Sequence, residues 1–236
     1  MDVNFELQPE KTALLIIDMQ NSYCHKAGSI GRAGYDVEAM NATIPKVKQL
    51  LMACRSTGIL DIWTIQNHYP DDLTRKTHRL TPHTHRWSAG PPALKGTWDA
   101  EVVDELKAFT DEPAEMVTKH RFSAFYDTRL DTLLRMKGID TLLVCGVATT
   151  HCVETTIRDA YQRDYDVLVA KEAVGGLTKE SHDASLKLVN ETFGAVISVE
   201  QMLKLFNGQS QKLSMDIVTK NASASFSPDK RWRADQ

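Results

Sequence analysis

The chain has 236 residues, of which 42% are hydrophobic and 25% charged, and its formal net charge is −3. This length suffices for one large α/β domain or two small domains, and the composition is ordinary for a globular protein. The charge lacks the basic excess of proteins that bind nucleic acids or anionic membranes, so we expect neither as a partner. The sequence contains no run approaching the roughly 18 apolar residues of a membrane-spanning helix.

The N-terminal stretch MDVNFELQPEK lacks the basic and apolar regions of a secretory signal, so we expect a cytoplasmic location. A reducing compartment would keep thiols free, and the cysteines form no CxxC pair. They are Cys24, Cys54, Cys145 and Cys152.

Short apolar runs alternate along the chain with segments of helical periodicity. The predicted strands are residues 12–18, 59–65, 114–119, 141–147, 166–172 and 195–199. The predicted helices are 36–57, 99–106, 128–138, 152–164, 179–194 and a short one after 199. Because the strands are almost continuously apolar, this alternation predicts a three-layer α/β/α fold with a six-stranded parallel sheet.

Two segments fall outside this alternation. Residues 66–97 form a long polar connection rich in His, Pro and Thr, and such a loop usually lines a site or an interface. Residues 1–208 are predicted to form the domain, whereas residues 209–236 are polar and serine-rich. That tail is either disordered or an arm that Phe226 and Trp232 anchor on a neighbouring subunit.

Three chemically different side chains follow the ends of predicted strands. Asp18 ends the first strand, Lys119 ends the third, and Cys152 follows the fourth. Each has an ordinary alternative, as a structural acid, an exposed lysine or a packed thiol. Ligands of open parallel sheets bind beyond the carboxyl ends of the strands, so the three together predict a site at one sheet edge.

The chemistry of these residue types predicts a nucleophile at Cys152. A cysteine at a helix N-terminus has its thiolate stabilised by the helix dipole, and a nearby Lys119 would lower the pKa of the thiol further. Asp18 could accept the thiol proton and later donate it to a leaving amine. Backbone N–H groups of the stretch GVATTHC could bind the oxyanion that forms on the attacked carbonyl.

The sequence resembles the isochorismatase-like cysteine hydrolases over roughly residues 10–207. The segments that carry the resemblance are LLIIDMQN (14–21), TKHRFSAFYDTRLDTLLR (118–135) and GVATTHCVETTIRDA (146–160). The resemblance implies the Rossmann-like isochorismatase-like hydrolase fold, no cofactor, and assembly into a homo-oligomer, either a dimer or a tetramer.

The same resemblance implies roles for individual residues. Asp18, Lys119 and Cys152 match the family's catalytic triad. The family's cis peptide bond would fall between Val147 and Ala148, and the backbone N–H groups of Ala148 and Cys152 would form the oxyanion hole.

Four segments are most similar to ureidoacrylate amidohydrolases, and the sequence also resembles N-carbamoylsarcosine amidohydrolase and biuret hydrolases. Those segments are residues 62–67, 95–106, 146–160 and 191–200. The resemblance implies a small ureido or carbamoyl substrate and a covalent acyl-cysteine intermediate, with release of ammonia or an amine. Candidate substrate-binding residues are Tyr23, Asn67, Trp98, Phe125 and His151.

The sequence departs from the metal-binding nicotinamidases of the family. Those enzymes carry an Asp-x-His pair after the second strand, where this chain has Gln66, Asn67 and His68. His83 and His85 lie close together, but no acid or cysteine joins them in a ligand pattern, so we interpret them as part of a polar loop and expect no metal.

Other functions remain open at this stage. A nicotinamidase-like amidase and an isochorismatase-type vinyl-ether hydrolase are the alternatives within the fold, and a non-catalytic oligomeric scaffold is the alternative outside catalysis. A nucleotide-binding oxidoreductase is disfavoured, because the turn DMQNSYCHKAG after the first strand contains no GxGxxG motif.

Overall fold

A computed structural model describes residues 2–70, 72–73, 90–111 and 114–214 of the chain. The strands in these ranges are β1 (Asp2–Phe5), β2 (Thr12–Ile17), β3 (Leu60–Gln66), β4 (Glu115–Lys119), β5 (Thr141–Val147), β6 (Asp166–Gly175), β7 (Ala195–Ile197) and β8 (Gln211–Ser214). Six of them form one sheet in the order β4-β3-β2-β5-β6-β7, and every neighbouring pair is parallel. The predicted six-stranded parallel sheet is therefore confirmed.

Helices cover both faces of this sheet. The described α-helices are α1 (Asn21–Cys24), α2 (Ser29–Arg32), α3 (Glu38–Asn41), α4 (Ile44–Ser56), α5 (Asp104–Lys107), α6 (Leu130–Met136), α7 (Glu154–Tyr161), α8 (Lys179–Thr192) and α9 (Val199–Phe206). Successive side chains of a strand point to opposite faces, so the central strand β2 contributes to two cores. Leu14 and Ile16 pack with residues of α4 and α9, whereas Leu15 and Ile17 pack with residues of α6, α7 and α8. This arrangement is the predicted three-layer fold.

Two predicted helices are shorter than their periodicity suggested. The predicted helix over residues 36–57 is interrupted between α3 and α4, and Pro45 lies in the first turn of α4. Proline suits that position because its missing N–H would have no partner inside the helix. The predicted helix over residues 99–106 is reduced to the single turn of α5, which follows a 3₁₀ turn over Trp98–Ala100.

The first and last described strands form a separate two-stranded sheet. β1 and β8 pair antiparallel, with Asp2 opposite Ser214 and Phe5 opposite Gln211. The first residues of the predicted polar tail thus join a strand pair. Phe226 and Trp232, the proposed anchors of the arm, lie outside the described residues.

Close backbone packing brings β5 against β2 at the end of the sheet where the candidate residues lie. Gly146 has a φ of +115°, and a Cβ on it would lie 2.1 Å from the carbonyl oxygen of Ile17. Only glycine fits this position.

None of the helices in the described ranges has the length and apolar composition needed to cross a membrane.

Candidate active site

The carboxyl ends of β2, β4 and β5 lie at one edge of the sheet and bring Asp18, Lys119 and Cys152 into one buried cluster. Lys119 Nζ lies 2.6 Å from Asp18 Oδ2 and 3.3 Å from Cys152 Sγ. Asp18 and Lys119 are fully buried, and Cys152 is 6% exposed. The cluster therefore joins a carboxyl group, an amine and a thiol at hydrogen-bonding distance and out of bulk water.

The backbone turns sharply at Asp18, directly after β2. Its φ of +50° lies in the left-handed region, which is uncommon for residues other than glycine but is tolerated by aspartate. Thr64 on β3 holds the residue in place, because its hydroxyl donates a 2.6 Å hydrogen bond to Asp18 Oδ1. The Asp18 N–H in turn lies 3.2 Å from Thr64 Oγ1. The second carboxyl oxygen, Oδ2, is the one that faces Lys119.

The Lys119 ammonium is held by two further acceptors. It donates hydrogen bonds to Gln66 Oε1 at 2.7 Å and to the carbonyl oxygen of Arg121 at 3.1 Å. Gln66 is itself fixed by Gln20, which accepts from the Gln66 N–H and donates to the Gln66 carbonyl, each at 2.9 Å. The Gln20 side chain also donates to the carbonyl of Ala100 at 2.7 Å.

Cys152 lies in a wide turn over Thr149–Val153 that leads directly into α7. The peptide bond between Val147 and Ala148, just before this turn, is cis. The carbonyl of Ala148 accepts a 3.0 Å hydrogen bond from the N–H of His151, which closes the turn. The oxyanion-hole roles of the Ala148 and Cys152 N–H groups stay a prediction.

A side-chain contact ties this turn to α8. Thr149 is buried, and its Oγ1 lies 2.8 Å from Nδ1 of His182. Burial lowers the pKa of His182. The contact fixes the start of the turn that carries Cys152 against a neighbouring helix.

Burial has the largest effect on the pKa of Cys152, the candidate nucleophile. It raises the pKa of the Cys152 thiol; Lys119 acts in the opposite direction, and Asp18 adds to the rise. The lowered pKa expected for Cys152 is therefore wrong, because loss of hydration on burial outweighs the effect of the lysine. For Lys119, burial acts to lower the pKa, but Asp18 and Cys152 raise it more, so the pKa lies above its ordinary value.

Two of the candidate substrate-binding residues lie beside the cluster. Burial raises the pKa of the Tyr23 phenol well above its ordinary value, and negative charge at Cys152 or Asp18 raises it further. Asn67 directly follows β3, and its N–H donates a 2.9 Å hydrogen bond to the carbonyl of Lys119. Both residues are partly exposed, and substrate contact by either of them stays a prediction.

Two further candidates lie at the surface. Trp98 is 41% exposed, and its ring meets the ring of His25 edge-on at 5.2 Å. His151 is exposed beside the nucleophile candidate, its Nδ1 lies 2.9 Å from Thr150 Oγ1, and its ring contacts Phe122 at 5.1 Å. Substrate contact by Trp98 and His151 stays a prediction.

Phe125 is a core residue, which corrects its interpretation as part of the pocket. It is 4% exposed and packs in the core between the sheet and α6, α7 and α8. Its ring lies 5.8 Å from the ring of Tyr165 and 4.9 Å from the Arg163 guanidinium. Tyr165 immediately precedes β6, so these contacts lie at the opposite end of the sheet from the cluster of Asp18, Lys119 and Cys152.

The described residues contain no group of three or more His, Cys, Asp or Glu side chains that could hold a metal ion. His68 is buried, and its ring nitrogens contact Gln66 Nε2 and the carbonyl of Pro92. His83 and His85 fall outside the described residues. The absence of a metal and of a cofactor therefore stays a prediction.

The residues that hold Asp18 and Lys119 in place were not among the predicted site residues. Thr64, Gln66 and Gln20 are buried and bind Asp18 and Lys119 directly or through one another. A signal was present in β3, where Thr64 and Gln66 place polar side chains at alternate positions of an otherwise apolar, buried strand. Buried polar groups need partners, so such a pattern indicates a polar site beside that strand.

Comparison with known proteins places this site in a recognisable context. The family model described as the isochorismatase domain matches residues 12–201. The chain is 36% identical over 203 residues to ureidoacrylate amidohydrolase RutB of Methylorubrum extorquens, covering 80% of each chain. It superposes on the cysteine hydrolase from Pseudomonas syringae pv. phaseolicola with a TM-score of 0.75 and 25% identity, covering 86% of this chain and 95% of the other. For N-carbamoylsarcosine amidase from Thermoplasma acidophilum the TM-score is 0.66 and the identity 26%, with 80% and 97% covered.

Proposed function

Since the chain belongs to the isochorismatase family, we propose that it is a cysteine-dependent amidohydrolase whose substrate is a small ureido or carbamoyl compound. Its relatives are named as amidohydrolases, and their similarity supports a hydrolase that acts on amide C–N bonds. The identity of the nucleophile and the substrate class are the proposal.

One geometric observation carries the proposal: Lys119 Nζ lies between the Asp18 carboxyl group, at 2.6 Å, and Cys152 Sγ, at 3.3 Å. Cleavage of an amide by a cysteine needs a nucleophile, a base beside it and a means to balance the charge that develops. The cluster supplies all three in a buried site, where electrostatic interactions are stronger than in water.

The reaction begins when Cys152 attacks the substrate carbonyl. Because burial raises the pKa of the thiol, the proton leaves Cys152 as the substrate arrives, and Asp18 accepts it. The sulfur electron pair forms the C–S bond, and the carbonyl oxygen becomes an oxyanion that backbone N–H groups of the nucleophile turn stabilise. Lys119 remains protonated beside the developing charge, consistent with its raised pKa.

Collapse of this intermediate forms the acyl-enzyme, and hydrolysis of the acyl-enzyme completes the reaction. The oxyanion re-forms its C=O bond as the C–N bond breaks, and Asp18 returns the proton to the leaving nitrogen, which departs as ammonia or an amine. Water then attacks the acyl-cysteine and gives a proton to Asp18, which passes it back to the sulfur as the C–S bond breaks. One water is consumed for each amide bond, and the site regains its starting protonation state.

The substrate class is supported by the relatives. The chain is 36% identical to proteins named as ureidoacrylate amidohydrolases, and its fold is similar to that of an N-carbamoylsarcosine amidase. Both names describe a carbonyl flanked by nitrogen in a small linear molecule. A ureido or carbamoyl group is therefore the substrate chemistry we propose for Cys152.

A substrate panel tests the proposal. Ureidoacrylate, biuret, N-carbamoyl amino acids and nicotinamide are each incubated with the full chain, and ammonia release is measured. We expect ammonia from one or more of the first three compounds. Ammonia from nicotinamide alone would replace the ureide proposal with a nicotinamidase-like activity, and inactivity on every compound would contradict the proposal.

The expected homo-oligomer, a dimer or a tetramer, is also a proposal. Light scattering coupled to size-exclusion chromatography tests it, because a monomeric mass of 26.5 kDa would contradict it.

A further inference from the structure

A series of buried polar contacts extends from the Lys119 ammonium. Lys119 Nζ donates to Gln66 Oε1 at 2.7 Å, Gln66 Nε2 lies 3.3 Å from His68 Nε2, and His68 Nδ1 contacts the carbonyl oxygen of Pro92. Lys119 is fully buried, and Gln66 and His68 are each 2% exposed. Burial of so many polar atoms is costly unless each contact is satisfied in the correct direction.

The two outermost groups of this series, the Lys119 ammonium and the Pro92 carbonyl, determine the direction of every hydrogen bond in it. An ammonium can only donate, so the Gln66 atom that faces Lys119 is the oxygen, and the Gln66 amide nitrogen faces His68. A carbonyl can only accept, so the His68 proton resides on Nδ1 and points at Pro92. His68 Nε2 is then the acceptor for the Gln66 amide, and all three contacts agree with one neutral tautomer of His68.

The backbone around this pair is held from both sides. Gln20 brackets the Gln66 peptide with two 2.9 Å hydrogen bonds. The His68 N–H donates to the carbonyl of Ala93 at 3.0 Å, and the His68 carbonyl accepts from the N–H of Lys95 at 2.9 Å. Neither side chain can turn away without breaking contacts of its own.

We propose that Gln66 and His68 form a positioning pair that aims the Lys119 ammonium at Cys152. The inference rests on the proposed function of Cys152 as the nucleophile. Asp18 attracts the ammonium strongly, and the Gln66 oxygen, together with the Arg121 carbonyl, opposes that attraction and holds Nζ within 3.3 Å of the sulfur. Glutamine does this without adding negative charge to the site, and His68 prevents its amide from rotating to present the nitrogen to Lys119.

Substitutions at position 68 separate the pairing with Gln66 from the contact with Pro92. His68→Gln places an acceptor near the position of Nε2 and preserves the contact with Gln66. His68→Asn places a donor near the position of Nδ1 and preserves only the contact with Pro92. Gln66→Leu removes the pair at its other member.

Two readouts are measured on the full chain. The first is the rate at which iodoacetamide alkylates Cys152, followed by peptide mass spectrometry, since the thiolate is the reactive form. The second is kcat and KM for whichever panel compound releases ammonia. Thermal unfolding of each variant shows that it is folded.

If Gln66 and His68 form this positioning pair, the alkylation rate and kcat should rank the variants in the same order. Gln66→Leu and His68→Asn should alkylate about tenfold or more slowly and lose kcat by a similar factor with KM unchanged, as expected for loss of a hydrogen bond to a charged group. His68→Gln should stay within about threefold of the parent. Equal rates for His68→Gln and His68→Asn, or a Gln66→Leu protein that alkylates as fast as the parent, would overturn the inference. If no panel compound releases ammonia but the alkylation order holds, the proposed function fails and the positioning pair stands.

Discussion

The hydroxyl of Thr64 donates a 2.6 Å hydrogen bond to Oδ1 of Asp18, and both residues are fully buried. The contact joins β3 to the residue that directly follows β2, and it leaves Asp18 Oδ2 facing Lys119. The carboxyl group that we propose as the proton carrier is thus oriented by a neighbouring strand before any substrate binds.

Removing this hydroxyl should slow catalysis more than it weakens folding. Thr64→Val keeps the shape of the side chain but deletes the donor to Asp18, and we expect kcat to fall about tenfold or more because a hydrogen bond to a charged group is lost. Thr64→Ser keeps the donor and should retain most of the activity. Steady-state ammonia release measures both, and a Thr64→Val enzyme with the kcat of the parent would show that Asp18 needs no such support.

The Asp18–Lys119 pair should couple in the free energy of unfolding. Lys119→Met leaves a carboxyl group buried without its cation, and Asp18→Asn leaves the ammonium without its counter-charge, so each should cost about 3–5 kcal/mol. The double variant should lose less than the sum of the two by about 1–3 kcal/mol, because neither unpaired charge remains. Urea unfolding measures all four proteins.

The surface offers a matched control for this pair. Lys107 Nζ lies 2.6 Å from Glu101 Oε2, the same separation as in the buried pair, but both side chains are about half exposed. Lys107→Met should leave stability almost unchanged, since exposed ion pairs contribute little. If the losses of unfolding free energy at Asp18 and Lys119 were additive, the two groups would not form a stabilising ion pair in the folded protein.

Alkaline pH should destabilise the fold through its buried thiols. Burial raises the pKa of Cys24, Cys145 and Cys152, and it raises that of Cys54 to about 12. The folded state then holds protons that the unfolded state releases above about pH 8.5, so stability is complete below that pH and is lost as the pH rises. The free energy of unfolding should fall by about 1.4 kcal/mol per pH unit for each thiol.

Urea unfolding between neutral and strongly alkaline pH measures this slope. Cys54→Ala removes the thiol in the last turn of α4, and its slope should be shallower by one proton. An unfolding free energy that stays constant across this range would mean that the thiols ionise as readily in the folded protein as in the unfolded one.

The sequence predicts the sheet because each strand carries its signal locally. Strands such as Thr141–Val147 are continuously apolar and buried on both faces, which their composition alone indicates. The pairing of β1 with β8 could not be predicted in this way, because it joins residues at opposite ends of the described chain. The interruption between α3 and α4 was also missed, although Pro45 is a local signal for the start of a helix.

The candidate site shows the same difference between residues with a local sequence signal and residues whose role depends on distant contacts. Asp18, Lys119 and Cys152 could be proposed from their positions at strand ends, because the carboxyl ends of parallel strands meet at one edge. Gln20 could not, since its role depends on which strands are neighbours and which loop returns past Ala100. For Gln66, the polar pattern of β3 indicates a polar site but not the contact with Lys119. The sign of the pKa shift at Cys152 was wrong because burial depends on the whole fold, whereas the helix that follows the residue is a local feature.

The most direct test of the account is ammonia release by Cys152→Ala with the compound that the parent enzyme hydrolyses, with Cys54→Ala as the matched cysteine control. We predict that Cys152→Ala loses activity by roughly a thousandfold or more while remaining folded, and that Cys54→Ala retains the activity of the parent. Ammonia release by Cys152→Ala at the parent rate would contradict the assignment of Cys152 as the nucleophile.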